Sequence, residues 1–403
     1  MKPQNYSERR GRWIPIMLVA PLVAFIGVTF IAPLGSMLKE SVYDAEVANT
    51  LPGTVALLTQ TWDRESLPSE EIYRKLASEL IERSTEDRSV IGKVANRVNR
   101  LVPGTRSVWG KTARKLKNIE ASDFRATLID IDDRWEELEL WHGIRQAGQK
   151  FSSRNYLHAL DLEVSDEGNV VRVEEEKRAY VTLYLRTFYV AVTVTILCLL
   201  LGYPIANAIA NASPTVSKIL LILVLIPFWT SLLARTSSWI VLLQGQGVIN
   251  DILVAIGWVQ DDQRLSLMYN MFGTLVAMTQ ILLPFMVLPI YSVLNSMPPS
   301  YMRAAASLGA NPIQAFTRVY WPQSLPGVYA GSLLVFILAL GYYITPALVG
   351  GTKGQLISNM IAYHINNNNW GLGAAISMIV LVSVMLLYLL FDRWIGINKL
   401  KLS

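Results

Sequence analysis

Six stretches of this chain are long and apolar enough to cross a lipid bilayer, and no other feature constrains its fold as much. They fall at residues 13–38, 184–210, 218–243, 268–294, 325–349 and 370–391. A hydrocarbon core of roughly 30 Å takes about 20 residues of helix. Lipid offers backbone amides no hydrogen bonds, so each stretch is predicted to be a helix rather than a strand. Prolines interrupt several: Pro15, Pro21 and Pro33 in the first, Pro227 in the third, Pro284 and Pro289 in the fourth, Pro346 in the fifth. In a bundle, such prolines mark kinks that neighbouring helices accommodate. The first stretch follows a basic flank (Arg9, Arg10, Arg12), as a signal peptide would. Its apolar run exceeds the usual h-region of about 7–15 residues and no small-x-small site follows, so an uncleaved span is expected.

Composition narrows the class. Hydrophobic residues make up 52% of the chain and charged residues 17%, against about 25% charged in soluble domains. That excludes disordered and collagen-like chains. Cys198 is the single cysteine, which excludes an internal disulfide and a CxxC site. The net charge of +5 is not a nucleic-acid signature, because most charges fall between Lys39 and Arg178. Lysine and arginine in short flanks set orientation. Lys2, Arg9, Arg10, Arg12, Lys218, Arg303, Arg318, Arg393, Lys399 and Lys401 lie on one side; Arg264 and Lys353 share the other with Asp251, Asp261 and Asp262. The expectation is that both termini and the two basic loops are cytoplasmic and that 39–180 lies outside. Long translocated segments escape the charge rule. The chain thus divides into 1–38 (tail and first span), an inserted extracytoplasmic domain at 39–180, and a core at 181–403 carrying spans two to six and a cytoplasmic loop at 295–323.

Within the insertion, 66–83, 90–102 and 121–146 show helical spacing of apolar residues, and 160–173 alternates as two strands around Ser165-Asp166-Glu167-Gly168-Asn169. Two readings stand for this domain: a solvated, mixed-charge decoration, or a docking surface for an extracellular partner. Its paired acids, Asp132-Asp133 and Glu136-Glu137, read as a wet helix face rather than a catalytic pair.

Chemistry-bearing motifs are missing. His142, His158 and His364 have no metal-ligand spacing. There is no HExxH, no GxSxG and no GxxxxGK[ST] phosphate loop. No catalytic residue, metal or cofactor is expected, and the chain should not hydrolyse ATP.

The most informative stretch joins spans four and five: Pro299-Ser300-Tyr301-Met302-Arg303-Ala304-Ala305-Ala306-Ser307-Leu308-Gly309-Ala310-Asn311-Pro312. Ser300 suits an N-cap, Gly309 suits the left-handed residue that ends a helix, and Pro312 suits the first turn of a second helix carrying Ile313, Phe316, Val319 and Tyr320. Pro322 and Pro326 are expected to stop that helix ahead of span five. The result is a helix–turn–helix elbow whose small alanines permit close approach by another surface.

Here the chain resembles the permease subunits of binding-protein-dependent ABC importers. Their cytoplasmic signature reads EAA, three residues, G, then an apolar helix and prolines. It aligns with Arg303-Ala304-Ala305, Gly309, Phe316, Pro322 and Pro326. Gly202-Tyr203-Pro204, Ile226-Pro227-Phe228-Trp229-Thr230-Ser231, Ile281-Leu282-Leu283-Pro284-Phe285-Met286 and 341–351 look like the spermidine/putrescine branch, in its first permease. The resemblance covers about 184–400. Two departures stand out: Arg303 replaces the usual acid, and the insertion is far longer than the branch normally carries.

The resemblance implies an all-α integral membrane protein with six transmembrane helices in the type I ABC importer permease fold and a mixed, mostly helical insertion between helices 1 and 2. It implies a bacterial inner-membrane location, a second permease subunit, ATPase subunits (two in the family), a soluble extracytoplasmic binding protein and a small organic solute. ATP hydrolysis would reside on the partner chain. In the elbow, Ala304, Ala305 and Gly309 would permit docking on the ATPase, Arg303 and Arg318 would supply polar contacts, and Phe316 would transmit motion, with Pro322 and Pro326 completing the ATPase-coupling loop.

The translocation path is sought where proline and glycine adjoin aromatics: Phe228, Trp229 and Thr230, then Tyr342, Tyr343 and Thr345, with the intramembrane Arg235. Aromatic faces suit ammonium groups; helix packing is the alternative reading. Amino acids, opines and other small solutes stay open within the class. Outside it stand a stand-alone channel or secondary transporter and a ligand-sensing receptor.

Overall fold

Two folding environments divide the chain. The computed structural model describes residues 17–117, 122–164 and 169–395, in one unit up to Tyr156 and another from Leu157 onward. The hairpin turn expected at 165–168, the start of the first stretch at 13–16 and the terminal cations of the charge count (Lys2, Arg9, Arg10, Arg12, Lys399 and Lys401) lie outside the described residues.

The first unit opens with α1 (Met17–Val42), an apolar helix of 26 residues. A five-residue π turn, Gly27–Ile31, precedes Pro33, with the Ala32 N–H bonded to the Gly27 carbonyl. The wide turn moves the carbonyl that a proline ring would strike in a regular helix. Then come α2 (Glu46–Thr50), α3 (Pro52–Gln60), α4 (Glu70–Glu86), α5 (Arg88–Asn99), α6 (Arg106–Leu116), α7 (Phe124–Ile131) and α8 (Leu138–Ala147). Their apolar faces converge on three buried tryptophans. Trp135 lies 5.5 Å from both Trp109 and Trp141, and Tyr73 packs edge-on to Trp141 at 4.7 Å. Most polar edges are satisfied: Trp135 Nε1 donates to Thr112 Oγ1, while Trp141 Nε1 and the Tyr73 hydroxyl both donate to the Trp135 carbonyl; Trp109 Nε1 is buried without a hydrogen-bond partner.

Carboxylates far away in sequence cap the short helices. Buried Glu79 accepts from the Gly53 and Thr54 amides at the start of α3, and Glu70 accepts from the Phe124 and Arg125 amides at the start of α7. Each supplies an acceptor and a negative charge where a helix leaves N–H groups unpaired.

Three expectations for this unit need correcting. The helix read over 121–146 is two helices, α7 and α8, separated by extended residues Asp132 and Glu137 and a 3₁₀ turn. Asp132 breaks it by accepting its own neighbour's Arg134 amide, the local competition that makes aspartate a helix terminator. Asp132 is also not on a wet face, being 4% exposed and paired with Lys111 and Arg134 at 3.0 and 2.8 Å. Asp133, Glu136 and Glu137 are exposed, as expected. Finally, α6 went unrecognised: three tandem amphipathic helices, not two, fill 70–116.

The second unit starts with a hairpin, β1 (Leu162–Val164) against β2 (Val170–Arg172), antiparallel with Glu163 opposite Val171. Asp161 then caps α9 (Tyr180–Asn211) by accepting from the Ala179, Tyr180 and Val181 amides. There follow α10 (Pro214–Trp229), α11 (Leu232–Leu243), α12 (Val248–Ala255), α13 (Met271–Ser296), α14 (Ser300–Ser307), α15 (Pro312–Gly341), α16 (Ile344–Val349), α17 (Ile357–Asn366) and α18 (Trp370–Ile395). Helices α9, α13 and α15 form the core around Val194, Cys198, Met286, Ile290 and Val335. Glycine brings them together. A Cβ on Gly327 would sit 2.8 Å from the Pro289 carbonyl oxygen, and one on Gly331 would sit 2.9 Å from Met286 Sδ. Small residues are what close helix approach in lipid requires.

Six helical stretches of the described residues are long and apolar enough to span a membrane. Two differ from the expected spans. The third, read over 218–243, is broken at Thr230-Ser231, and the long apolar stretch is Leu232–Ala255. Pro227 cannot donate to the preceding turn, and its own carbonyl accepts the Thr230 hydroxyl, which closes α10. The fifth, read over 325–349, ends at Gly341, and α16 is a separate short helix.

Candidate functional site

The elbow is built as its residues dictate. Helix α14 ends on Gly309, whose φ is +86°. The Ala310 amide bonds the Ala305 carbonyl and the Gly309 amide bonds the Ala306 carbonyl, the paired bonds of a Schellman stop. Asn311 then caps α15 reciprocally: its Oδ1 accepts from the Gln314 amide at 2.8 Å, and Gln314 Oε1 accepts from the Asn311 amide at 3.2 Å. Helix α14 begins at Ser300 rather than after it, with Pro299 at the cap and no side-chain bond.

Prolines do not stop the second helix, contrary to expectation. It runs unbroken through Pro322 and Pro326, and a π turn at Phe316–Tyr320, which sends the Trp321 N–H to the Phe316 carbonyl, makes room for Pro322. This is the device that accommodates Pro33.

The tip of the elbow is open. Leu308 is 89% and Ile313 74% exposed, and Arg303, Ala304, Arg318, Pro322 and Pro326 are exposed too. Ala305 and Ala315 face each other's helices and are buried. Space around Gly309 is free; its constraint is the backbone angle alone.

Phe316 points the other way. It stacks on Tyr320 at 5.8 Å and meets the edge of Tyr203 at 6.3 Å, while Tyr203 also packs on Trp321 at 5.0 Å. Hydroxyls complete the joint. Tyr320 donates to Asn207 Oδ1 at 2.7 Å and accepts from Asn211 Nδ2 at 3.2 Å, and the Tyr203 and Ser324 hydroxyls are 3.1 Å apart. The elbow is therefore fastened to α9 near its C-terminal end. Sequence reading missed Asn207 and Asn211; their i, i+4 spacing on an apolar helix was the available signal.

The second set of residues lies at the two helix breaks. Thr236 Oγ1 and Thr345 Oγ1 approach to 3.5 Å. The freed backbone is paired: the Tyr342 carbonyl accepts from Ser358 Oγ and the Tyr343 carbonyl from Asn359 Nδ2, the condition for irregular backbone at membrane depth. Arg235 Nε is buried without a hydrogen-bond partner. No Asp or Glu occurs from Tyr180 to Asn250 or from Leu265 to Phe391, so neither of these segments supplies a carboxylate to meet it. The geometry brings Thr345 against Thr236, the neighbour of Arg235. It leaves Phe228 against Phe285 at 5.0 Å and Trp229 exposed.

A family model described as binding-protein-dependent transport system inner membrane component matches residues 191–401. The spermidine/putrescine transport system permease protein PotB of Escherichia coli is 34% identical over 215 residues, 53% of this chain and 78% of that protein. Its Haemophilus influenzae counterpart is 36% identical over 200 residues, covering 49% and 69%. The inner membrane ABC transporter permease protein YdcU of Escherichia coli is 33% identical, covering 53% and 71%. Among solved structures, a bacterial alginate ABC transporter in complex with an alginate pentasaccharide-bound periplasmic protein aligns with a TM-score of 0.43 at 18% identity, covering 54% of this chain and 78% of that one.

Proposed function

The chain belongs to the binding-protein-dependent transport system inner membrane components, and we propose that the solute it carries is a polyamine of the spermidine/putrescine type. It is a permease subunit of an ABC importer, a multi-pass inner-membrane protein that is not itself the catalyst. The observation that carries the polyamine reading is 34–36% identity to spermidine/putrescine permeases over at least 69% of their length.

In this reading 181–403 is the permease core, 1–38 the tail and first span, and 39–180 an extracytoplasmic domain; both termini are cytoplasmic. A second permease completes the pore, two ATPase subunits dock on the loop at 295–323, and a soluble binding protein delivers solute. Exposed Leu308, Ile313, Arg303 and Arg318 meet the ATPase. ATP favours one arrangement of the ATPase pair, and that differential affinity biases a bundle with two states. Phe316, fastened through Tyr203 and Tyr320, passes the motion to α9. Arg235, Tyr342 and Thr345 line the path. A solute carrying a carboxylate is the second reading, favoured by Arg235, whose Nε is buried without a hydrogen-bond partner.

A thermal-shift screen of the partner binding protein against polyamines and amino acids separates the two: stabilisation by spermidine or putrescine alone supports the first, and stabilisation by amino acids alone overturns it. The elbow is tested with Gly309→Val. A β-branched residue resists positive φ, so solute-stimulated ATPase should fall at least several-fold while the subunits still assemble. Stimulation and uptake at wild-type level would remove the docking role.

A further inference from the structure

Residues 88–117 contain nine Lys and Arg and no Asp or Glu. They form the antiparallel pair α5 and α6, both amphipathic, whose apolar faces are buried in the tryptophan core. Part of this charge is answered within the unit: Lys93 meets Glu46, Arg97 meets Asp44 and Lys111 meets Asp132. Arg106 and Arg114 are exposed and have no ion pair among the described residues. Between the two helices runs a groove of about 260 Å³ that these two arginines flank. Its floor is Ala95 and Ala113, and it is held open by Gly92 and Gly110, at which an added Cβ would meet nothing within 4 Å.

We propose that this groove docks an acidic amphipathic helix of the solute-delivering binding protein; the proposal rests on the reading of 39–180 as extracytoplasmic. Charge complementarity and shape favour that occupant together. The apolar floor takes the ridge of a helix. Arg106 and Arg114 are eight residues apart on α6, about 12 Å along its axis, which matches carboxylates seven or eight residues apart on a partner helix. Arginine is suited to hold each of them through two parallel hydrogen bonds. A flat basic face would serve lipid headgroups equally well; a cleft with an apolar floor does not. Opposite charge across the surface also speeds encounter and makes it salt-sensitive.

The test uses the complete importer in phosphatidylcholine nanodiscs, titrated with its purified binding protein. Arg106→Glu with Arg114→Glu should weaken binding by about tenfold or more and remove most of its salt dependence. Gly110→Leu, which fills the groove and leaves the charges, should weaken binding with the salt dependence intact. All these positions are exposed, and both proteins should melt like the wild type. Wild-type affinity in both variants overturns the proposal. So does an effect that emerges only when phosphatidylglycerol is added to the discs, which would assign the face to lipid. A wild-type complex that ignores the binding protein overturns the delivery reading itself, and this proposal with it.

Discussion

The short helices of the first unit and the membrane bundle of the second bury their apolar faces by opposite means. In the first unit, bulk fills the core and charge finishes the edges: three tryptophans at the centre, with Glu70, Glu79 and Asp132 capping helix ends or pairing with cations. In the bundle, absence of bulk does the work. Gly327 and Gly331 let backbones touch, Gly202 makes room for the Met286 side chain, and hydroxyls such as Thr187, Thr195 and Ser377 bond carbonyls four residues back on their own helices. The difference follows from the solvent of the unfolded reference. Water rewards removing large apolar faces. Lipid does not, so close packing and complete hydrogen bonding remain as the organising forces.

The sharpest way to break this contrast is Trp135→Ala. Emptying the centre of the tryptophan core should cost about 3–5 kcal/mol, and hydrogen exchange should rise across 46–147 while 180–341 keeps its protection. Equal loss in both regions would show that they do not fold by separate rules. Next in size is Gly327→Ala. A methyl group there must displace the Pro289 carbonyl and Ile290 backbone, an overpacking cost of about 1–3 kcal/mol. The expected readout is a lowered melting temperature in detergent and lost protection in α13 and α15. A helix-propensity gain from alanine with no loss of stability would refute the close-approach account.

The third test concerns charge. Hydrogen bonds from Arg134, then Lys111, hold the Asp132 carboxyl down to about 2, against its burial. A carboxyl lowered on folding contributes stability that is present above its unfolded value near 3.8 and is lost as pH falls toward 2. From the shift, that is about 2 kcal/mol. Asp132→Asn should therefore lower the stability of the first unit at pH 7 and flatten its pH dependence between about 4 and 2. A variant with the wild-type acid profile would place the acid sensitivity elsewhere.

Apolar runs made most spans legible, and small residues flanking Gly309 made the elbow legible. Where reading failed, it failed at prolines and at acids. Pro322 and Pro326 looked like stops, but proline need not end a helix, and the π turn at Phe316–Tyr320 that makes room for Pro322 leaves no local mark. Asp132 looked like part of a solvated face, because nothing in its neighbours announces Lys111 arriving from another helix. Asn207 and Asn211 carried no visible meaning until Tyr320 was seen between them.

What the sequence alone determined was partition: which segments must leave water, which must stay in it, and where a backbone must turn through Gly309. Those are properties of single residues and short windows, set by transfer free energies and steric limits on φ. What only the tertiary structure decided was pairing: the tyrosine–asparagine joint between elbow and α9, the Thr236–Thr345 contact beside the two breaks, and the groove between α5 and α6. Each joins residues brought together by packing, and contact between distant segments is fixed by the whole set of buried faces rather than by any one of them.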